Sequence, residues 1–408
     1  MQGLSRYRRS FGIVFTCSML TFVLTVASLN YAIDPYNIFR SLTLQGINAL
    51  KPRPDVMLGD IKLIVGTRFH PTALILGNSR ADVGFDPTHP AFGKRHLRAY
   101  NAAVPGSGLD YSLEAFQRLG NTAEIEFAII GVDFLDFLHS PQPDAQPRAA
   151  SSAFSASSTR THLVALLSIT ALVDSIRTLL VQREANPAIV RSDGFNPMLD
   201  YREIAAAEGY SALFRQRAQE TARNLSRQPH NLYIAGRRMS PSFAALRLLL
   251  QTAREKGTDV ALVIYPYHVL LMLQYEAAGL WPLFEQWKED ITAISEEARL
   301  DGTHVRLWDF ACPSELTAEP VPRDGDRASA MQWYWEGGHF KKELGDLVLN
   351  NISGRGAPST FGFELTVANV DDRNRTCREA LEAMRERVPS LARLAAELSR
   401  SAESRPLH

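Results

Sequence analysis

The strongest constraint on this chain lies at residues 11–33, a run of twenty-three residues without a charged side chain. Wound as a helix at about 1.5 Å per residue, it can cross a hydrocarbon core about 30 Å thick. A cleaved signal peptide is the rival reading, but its apolar core usually spans about 7–15 residues. Here the run is longer, and no clean small-x-small site precedes Asn30. It reads as an uncleaved transmembrane anchor. Arg6, Arg8 and Arg9 stand before it, with no basic residue just after. The positive-inside rule then puts residues 1–10 in the cytoplasm and the rest of a single-pass chain outside it.

That compartment bears on the cysteines. Cys17 falls inside the membrane run, so Cys312 and Cys377 are the only possible pair. A disulfide is permitted there, and the sequence leaves their separation open. No Cys/His grouping has the spacing of a zinc site, and neither metal nor cofactor is expected. The 44 basic and 44 acidic residues cancel, which removes the global field a nucleic-acid-binding protein would carry. With 408 residues, 45% hydrophobic and 22% charged, the remainder has an ordinary globular composition.

Asp34-Pro35-Tyr36 ends the membrane helix, and residues 34–69 read as a polar connector. Short apolar runs follow, separated by helical patterns. Ala73–Leu76, 97–100, Phe127–Val132, 260–265 and 305–308 read as strands, with helices near 107–119, 240–256 and 283–299. The continuous apolarity of Phe127–Val132 suits a strand buried on both faces. This alternation predicts an α/β fold over residues 70–353, a three-layer sandwich with a mainly parallel five-stranded sheet. Residues 140–235 interrupt the rhythm with a Pro- and Ser-rich linker at 141–158 and helices near 163–181 and 201–225. This insertion over the sheet either shapes a cleft or is a plain surface excursion. A tail at 354–408 carries apolar positions at helical spacing over 375–398.

Chemistry is expected at Gly77-Asn78-Ser79-Arg80, where the first strand breaks. Ser79 then sits at the carboxyl edge of a parallel sheet, where ligands bind. It is a nucleophile if a base reaches it, and a helix cap if none does. Four acid-x-x-His pairs could supply a base and its orienting acid: Asp86/His89, Asp136/His139, Asp301/His304 and Glu336/His339. His304 opens the fifth strand and belongs to the opposite edge. His89 lies only ten residues beyond Ser79, in a proline-flanked segment that runs away from the turn. His139 trails the third strand and stands as an alternative base. His339 has the best setting, because Gly337 and Gly338 allow close approach and Phe340, Leu344, Leu347 and Val348 mark one helix face. His268 either faces the cleft or is structural. Trp333 and Trp335 either stack on sugar rings or pack in the core.

The order of these blocks is informative: GNSR after a strand, Asn101-Ala-Ala-Val-Pro-Gly106 after the next, and an acid-x-x-His before a helix. It resembles the SGNH (GDSL) hydrolase superfamily, and within it the membrane-anchored extracytoplasmic branch of alginate O-acetylation and DltD-like proteins. The resemblance spans about residues 73–350, the insertion excepted. It implies Ser79 as nucleophile, His339 as general base, and Glu336 as orienting acid where the family usually has Asp. It also implies backbone N–H groups of Gly106 and Ser79 as oxyanion donors, with Asn101 and Arg80 nearby. The third block departs, since Asp133 stands where the family's hydrolases tend to have Asn. An ionised Asp is acceptor-only and would repel an oxyanion. The expected function is a serine esterase or O-acyltransferase of cell-envelope polysaccharide, working through an acyl-serine with an envelope acyl donor or polysaccharide-system protein as partner. A non-catalytic glycan-binding or accessory protein on the same fold is the alternative that Asp133 and the Glu336 substitution motivate.

Overall fold

Every residue of Ala73–Leu76 and five of the six in Phe127–Val132 are buried. Such strands have no face for water and belong in the middle of a covered sheet. A computed structural model describes residues 2–93, 95–139, 158–226, 230–234, 238–355 and 361–403. Its strands are β1 Ala73–Leu76, β2 Ala99–Asn101, β3 Phe127–Val132, β4 Tyr233–Ile234, β5 Arg238–Met239, β6 Asp259–Ile264, β7 Val305–Asp309, β8 Tyr334–Glu336, β9 His339–Phe340 and β10 Phe363–Leu365. The main sheet has the order β10-β7-β6-β3-β1-β2. Five strands run parallel, and β10 pairs antiparallel with β7.

The fold is therefore α/β with a mostly parallel sheet, but the sheet has six strands rather than five. The sixth comes from the segment read as a helical tail, and at three residues it is too short to show a period. The single helix expected at 375–398 is two, Val370–Arg387 and Pro389–Glu403. They divide at Pro389, which lacks the N–H that would continue the first helix. Both pack on the body of the domain, against Val269–Ala277 among others. Cys312 and Cys377 are joined in a disulfide, Cα–Cα 5.0 Å, which ties the first of them to the loop after β7.

The polar connector also needs correction. Its last third is the helix Leu58–Phe69, with Lys62, Leu63 and Gly66 buried, packed on the helix Leu109–Gly120. The folded body thus begins ahead of residue 70. The linker expected at 141–158 lies, except for Ser158, outside the described residues. The insertion's helices are Ser158–Leu167, Ile169–Val181, Tyr201–Glu208 and Tyr210–Ser226. The first two pack against the amino-terminal helix Gln2–Ile33 and the last against β8. Within the first helix, Tyr7–Ile33 is long and apolar enough to cross a membrane, its most apolar 18 residues having a mean hydropathy of 2.0.

Strand order fixes where a ligand would meet the sheet. The chain leaves β1 outward to β2 and then returns to β3 on the other side of β1. The crevice outside the carboxyl ends of strands at such a reversal is where open α/β sheets bind ligands. Replacing both Cys312 and Cys377 by Ser is expected to cost about 4 kcal/mol, the loop-closure value for a separation of 65 residues. Urea titration of both forms in detergent micelles measures it.

Candidate active site

Gly77 ends β1 at φ +138°, a backbone conformation that side-chain-bearing residues rarely adopt. Asn78 then caps the short helix Ser79–Gly84, its Oδ1 accepting from the Arg80 N–H at 3.1 Å. Ser79 is the first helical residue, half-buried beyond the carboxyl end of β1. Its N–H belongs to the first turn, where backbone donors have no intrahelical partner.

The two-stranded ribbon β8–β9 brings up the rest. Glu336 and His339 face each other across it. His339 Nε2 lies 2.7 Å from Ser79 Oγ, and its Nδ1 meets Glu336 Oε1. A carboxylate only accepts, so Nδ1 carries the proton and Nε2 is left as an acceptor for the serine. Burial works against charge on Glu336. The nearby His339, the Arg217 guanidinium and the Gly338 N–H at 2.5 Å outweigh it and hold the carboxyl at about 2. Arg217 Nε is 3.2 Å from Oε1. Its Nη2 also approaches His339 Nδ1 at 3.3 Å, a contact between two donors rather than a hydrogen bond. Arg217 lies on Tyr210–Ser226 in the insertion, and no local pattern separates it from Arg215 or Arg223 on the same helix.

Glycine packing sets the serine helix against the ribbon. A Cβ on Gly84 would fall 2.0 Å from the Phe340 ring, and one on Gly345 would fall 1.8 Å from the Gly84 carbonyl oxygen. Any side chain at either position would push Ser79 away from His339.

Asp133 is placed differently from expectation. It receives Asn78 Nδ2 at 2.8 Å, Tyr267 Oη at 3.1 Å, the Leu135 N–H at 3.2 Å, and Arg80 Nη1. These four donors fill the lone-pair positions of one carboxylate, and an Asn amide would turn its own donors toward them. Burial opposes charge on Arg80, but Asp133 and the tyrosines keep its pKa above the ordinary value, with its guanidinium 5.1 Å from the Tyr267 ring centre. Asp133 and Arg80 thus neutralise each other, and the Asp133 charge is not left to repel an oxyanion, while Arg80 Nε stays a buried donor with no partner among the described residues. Asn101 is likewise engaged: its Nδ2 donates to the carbonyls of Ala81 at 2.8 Å and Phe85 at 3.0 Å, holding the serine helix to β2. Gly106, at φ +72°, sits in the loop after β2, which is tied to the end of β1 by Val104 N–H to Gly77 O at 3.1 Å.

Of the two bases weighed, the one at Ser79 is His339. His139 exchanges backbone hydrogen bonds with Asn231, at 2.7 and 2.9 Å. His268 is buried, accepts from Leu270 N–H at Nδ1 and meets Glu319 O at 3.0 Å through Nε2. Burial lowers its pKa to about 4, so it is a neutral helix cap and not a cleft residue. Trp335 is buried against Tyr201, with the Lys341 ammonium 4.4 Å from its ring centre. Trp333 is half-buried against the core. Comparison with models of known protein families finds no match, and neither does a search of curated proteins.

The depressed pKa of Glu336 has a stability consequence. Folding favours the ionised form, so the contribution is full above the ordinary 4.5 and is lost as pH falls through about 2. Glu336→Gln is expected to remove roughly 3 kcal/mol of acid dependence between about pH 6 and about pH 2. Unfolding free energies of both forms at the two pH values give the difference directly.

Proposed function

We propose that the protein is a membrane-anchored serine esterase or O-acyltransferase on an SGNH-type three-layer fold, acting outside the cytoplasm on cell-envelope polysaccharide. The observation that carries this reading is the continuous chain Ser79–His339–Glu336, with Oγ 2.7 Å from Nε2 and Nδ1 on a buried carboxylate. His339 takes the Oγ proton as Ser79 adds to the ester carbonyl carbon. The ester C–O bond then breaks, and the proton returns from Nε2 to the departing alkoxide. Water or a carbohydrate hydroxyl, deprotonated by the same imidazole, adds to the acyl carbon, the Oγ–acyl bond breaks, and Nε2 returns the proton to Oγ. Glu336 stabilises the imidazolium that forms at each step.

The backbone N–H groups of Ser79 and Gly106 are the donors offered to the oxyanion. The motives for a binding-only protein were Asp133 in place of Asn and Glu336 in place of Asp; Arg80 neutralises the first, and the second still reaches His339 Nδ1. The compartment rests on the Cys312–Cys377 disulfide, which suits an oxidising environment, and on the arginines before the first helix. Lipid around that helix and an envelope acyl donor or polysaccharide-system protein are the partners this assignment requires.

In the full-length protein, a fluorophosphonate probe is expected to label Ser79. Labelling and ester turnover should fall by about 10³-fold or more in Ser79→Ala and His339→Ala, with circular dichroism unchanged. Full turnover in either variant overturns the mechanism, and a wild type that takes no label favours the binding-only protein.

A further inference from the structure

Water selects helices with polar residues outside, and the helix Ile169–Val181 is built the other way round. Its protein side carries Ala171, Asp174, Ser175 and Thr178, all buried, with Val181 at the end. Its outer side carries Ile169, Val173, Ile176 and Leu180, spaced four, three and four residues apart, with Ile169 69% and Leu180 61% exposed, and the exposed Arg177 flanks this stripe in ion pairs with Asp55 and Asp174. The preceding helix Ser158–Leu167 continues the surface with exposed Leu163 and Leu167. A contiguous apolar surface of this kind marks an interaction site.

Its setting identifies the occupant. Both helices lie against the first helix, and polar contacts of Asn30 near its carboxyl end tie them to it. Asn30, fully buried, donates from Nδ2 to Leu166 O at 3.0 Å and accepts Ser175 Oγ at 2.9 Å. Polar groups paired between helices with apolar side chains outward is the arrangement of helices surrounded by lipid. The first helix, on which both pack, itself exposes apolar side chains such as Leu20, Phe22 and Leu24, which a bilayer would cover on the proposed anchor reading. A thirteen-residue helix is about 20 Å long, short of the roughly 30 Å hydrocarbon core. Together the two helices are long and apolar enough to span but meet at a 67° bend, and both flanking segments belong to the same folded domain, which suits a re-entrant pair rather than a crossing one.

We propose that residues 158–181 form a second, non-spanning membrane contact, lying in the leaflet where the first helix ends and taking phospholipid acyl chains against the Ile169–Leu180 stripe. Arg160 at one end and Arg183 just past the other are exposed and can reach lipid headgroups. This rests on the reading of the first helix as a bilayer anchor. It is independent of the reaction at Ser79.

The experiment uses the full chain with Cys17→Ser, nitroxide-labelled in turn at Ile176→Cys, Leu180→Cys, Leu20→Cys on the first helix and Arg183→Cys, in liposomes of phosphatidylethanolamine and phosphatidylglycerol. Collision with oxygen relative to a water-soluble nickel complex should be several-fold higher at 176 and 180 than at 183, approaching the value at 20. Values at 176 and 180 equal to that at 183, with 20 still lipid-like, overturn the second contact alone. An aqueous reading at 20 as well removes the anchor with it. Shielding from both reagents with spin–spin broadening would make a second copy the occupant and overturn lipid.

Discussion

A lysine and an aspartate with almost no solvent contact hold the serine turn in place. The side chains of Lys62 and Asp82 are 1% and 0% exposed, and Nζ lies 2.5 Å from Oδ1. Taking two charges out of water is costly, and their attraction compensates only when the remaining polar sites are satisfied as well. Here Lys62 also donates to Ala103 O at 2.6 Å, and Asp82 Oδ2 accepts from Asn196 Nδ2 at 2.9 Å. Four segments therefore meet at one pair: the helix Leu58–Phe69, the serine helix, the loop after β2, and the insertion. Asp82 is three residues beyond Ser79, nearly one helical turn, so displacing any of the four strains the geometry at Oγ. A charge left alone in that interior would cost several kcal/mol, which makes the arrangement close to all-or-none.

The same economy governs the two carboxylates nearest the serine. Asp133 and Glu336 each have an arginine beside them, Arg80 and Arg217, but their remaining donors differ. Asp133 is saturated by donors from the serine turn, from its own loop after β3 and from Tyr267 after β6, so it acts as a fixed point for Asn78. Glu336 keeps one oxygen for the Gly338 N–H and gives the other to His339, so it orients an imidazole that faces outward to Ser79. A Glu in this role spans the ribbon: it lies opposite His339 and still reaches the amide of Gly338 between them. Two acids of similar chemistry thus take different parts according to the donors around them.

Much of the scaffold was legible because buried parallel strands are continuous apolar runs. The strands at 73–76, 127–132, 260–265 and 305–308 fall within one residue of β1, β3, β6 and β7. The serine, the histidine and the acid were found from the order of three short blocks, although Ser79 and His339 are 260 residues apart. What escaped was long-range polar pairing. Lys62 sits in a segment that looks like a solvated connector, and only Asp82, 20 residues on, makes its burial possible. Arg217 is one arginine among several on a charged helix. His268 stayed open between cleft and structure for the converse reason: a polar residue beyond the carboxyl end of a strand looks the same in sequence whether it faces a cleft or closes backbone hydrogen bonds.

The residues at 163–181 were read as ordinary helix because periodicity records that apolar positions share a face, not which way that face points. Only the burial of Asp174, Ser175 and Thr178 shows that the polar side is inward. On the proposed membrane reading, that inversion would connect the bilayer to the site through packed parts. His162, on the first of the two helices, accepts from Arg68 Nη2 at 3.3 Å, and Arg68 shares the helix Leu58–Phe69 with Lys62. From the apolar stripe to Ser79 the path runs through packed helices and one buried ion pair. A domain held both by a spanning helix and by a lipid-facing pair loses the freedom to swivel about its anchor. Ser79 would then stand at a set height and orientation above the bilayer, which suits a polymeric substrate presented along the membrane better than a small ester arriving from any direction.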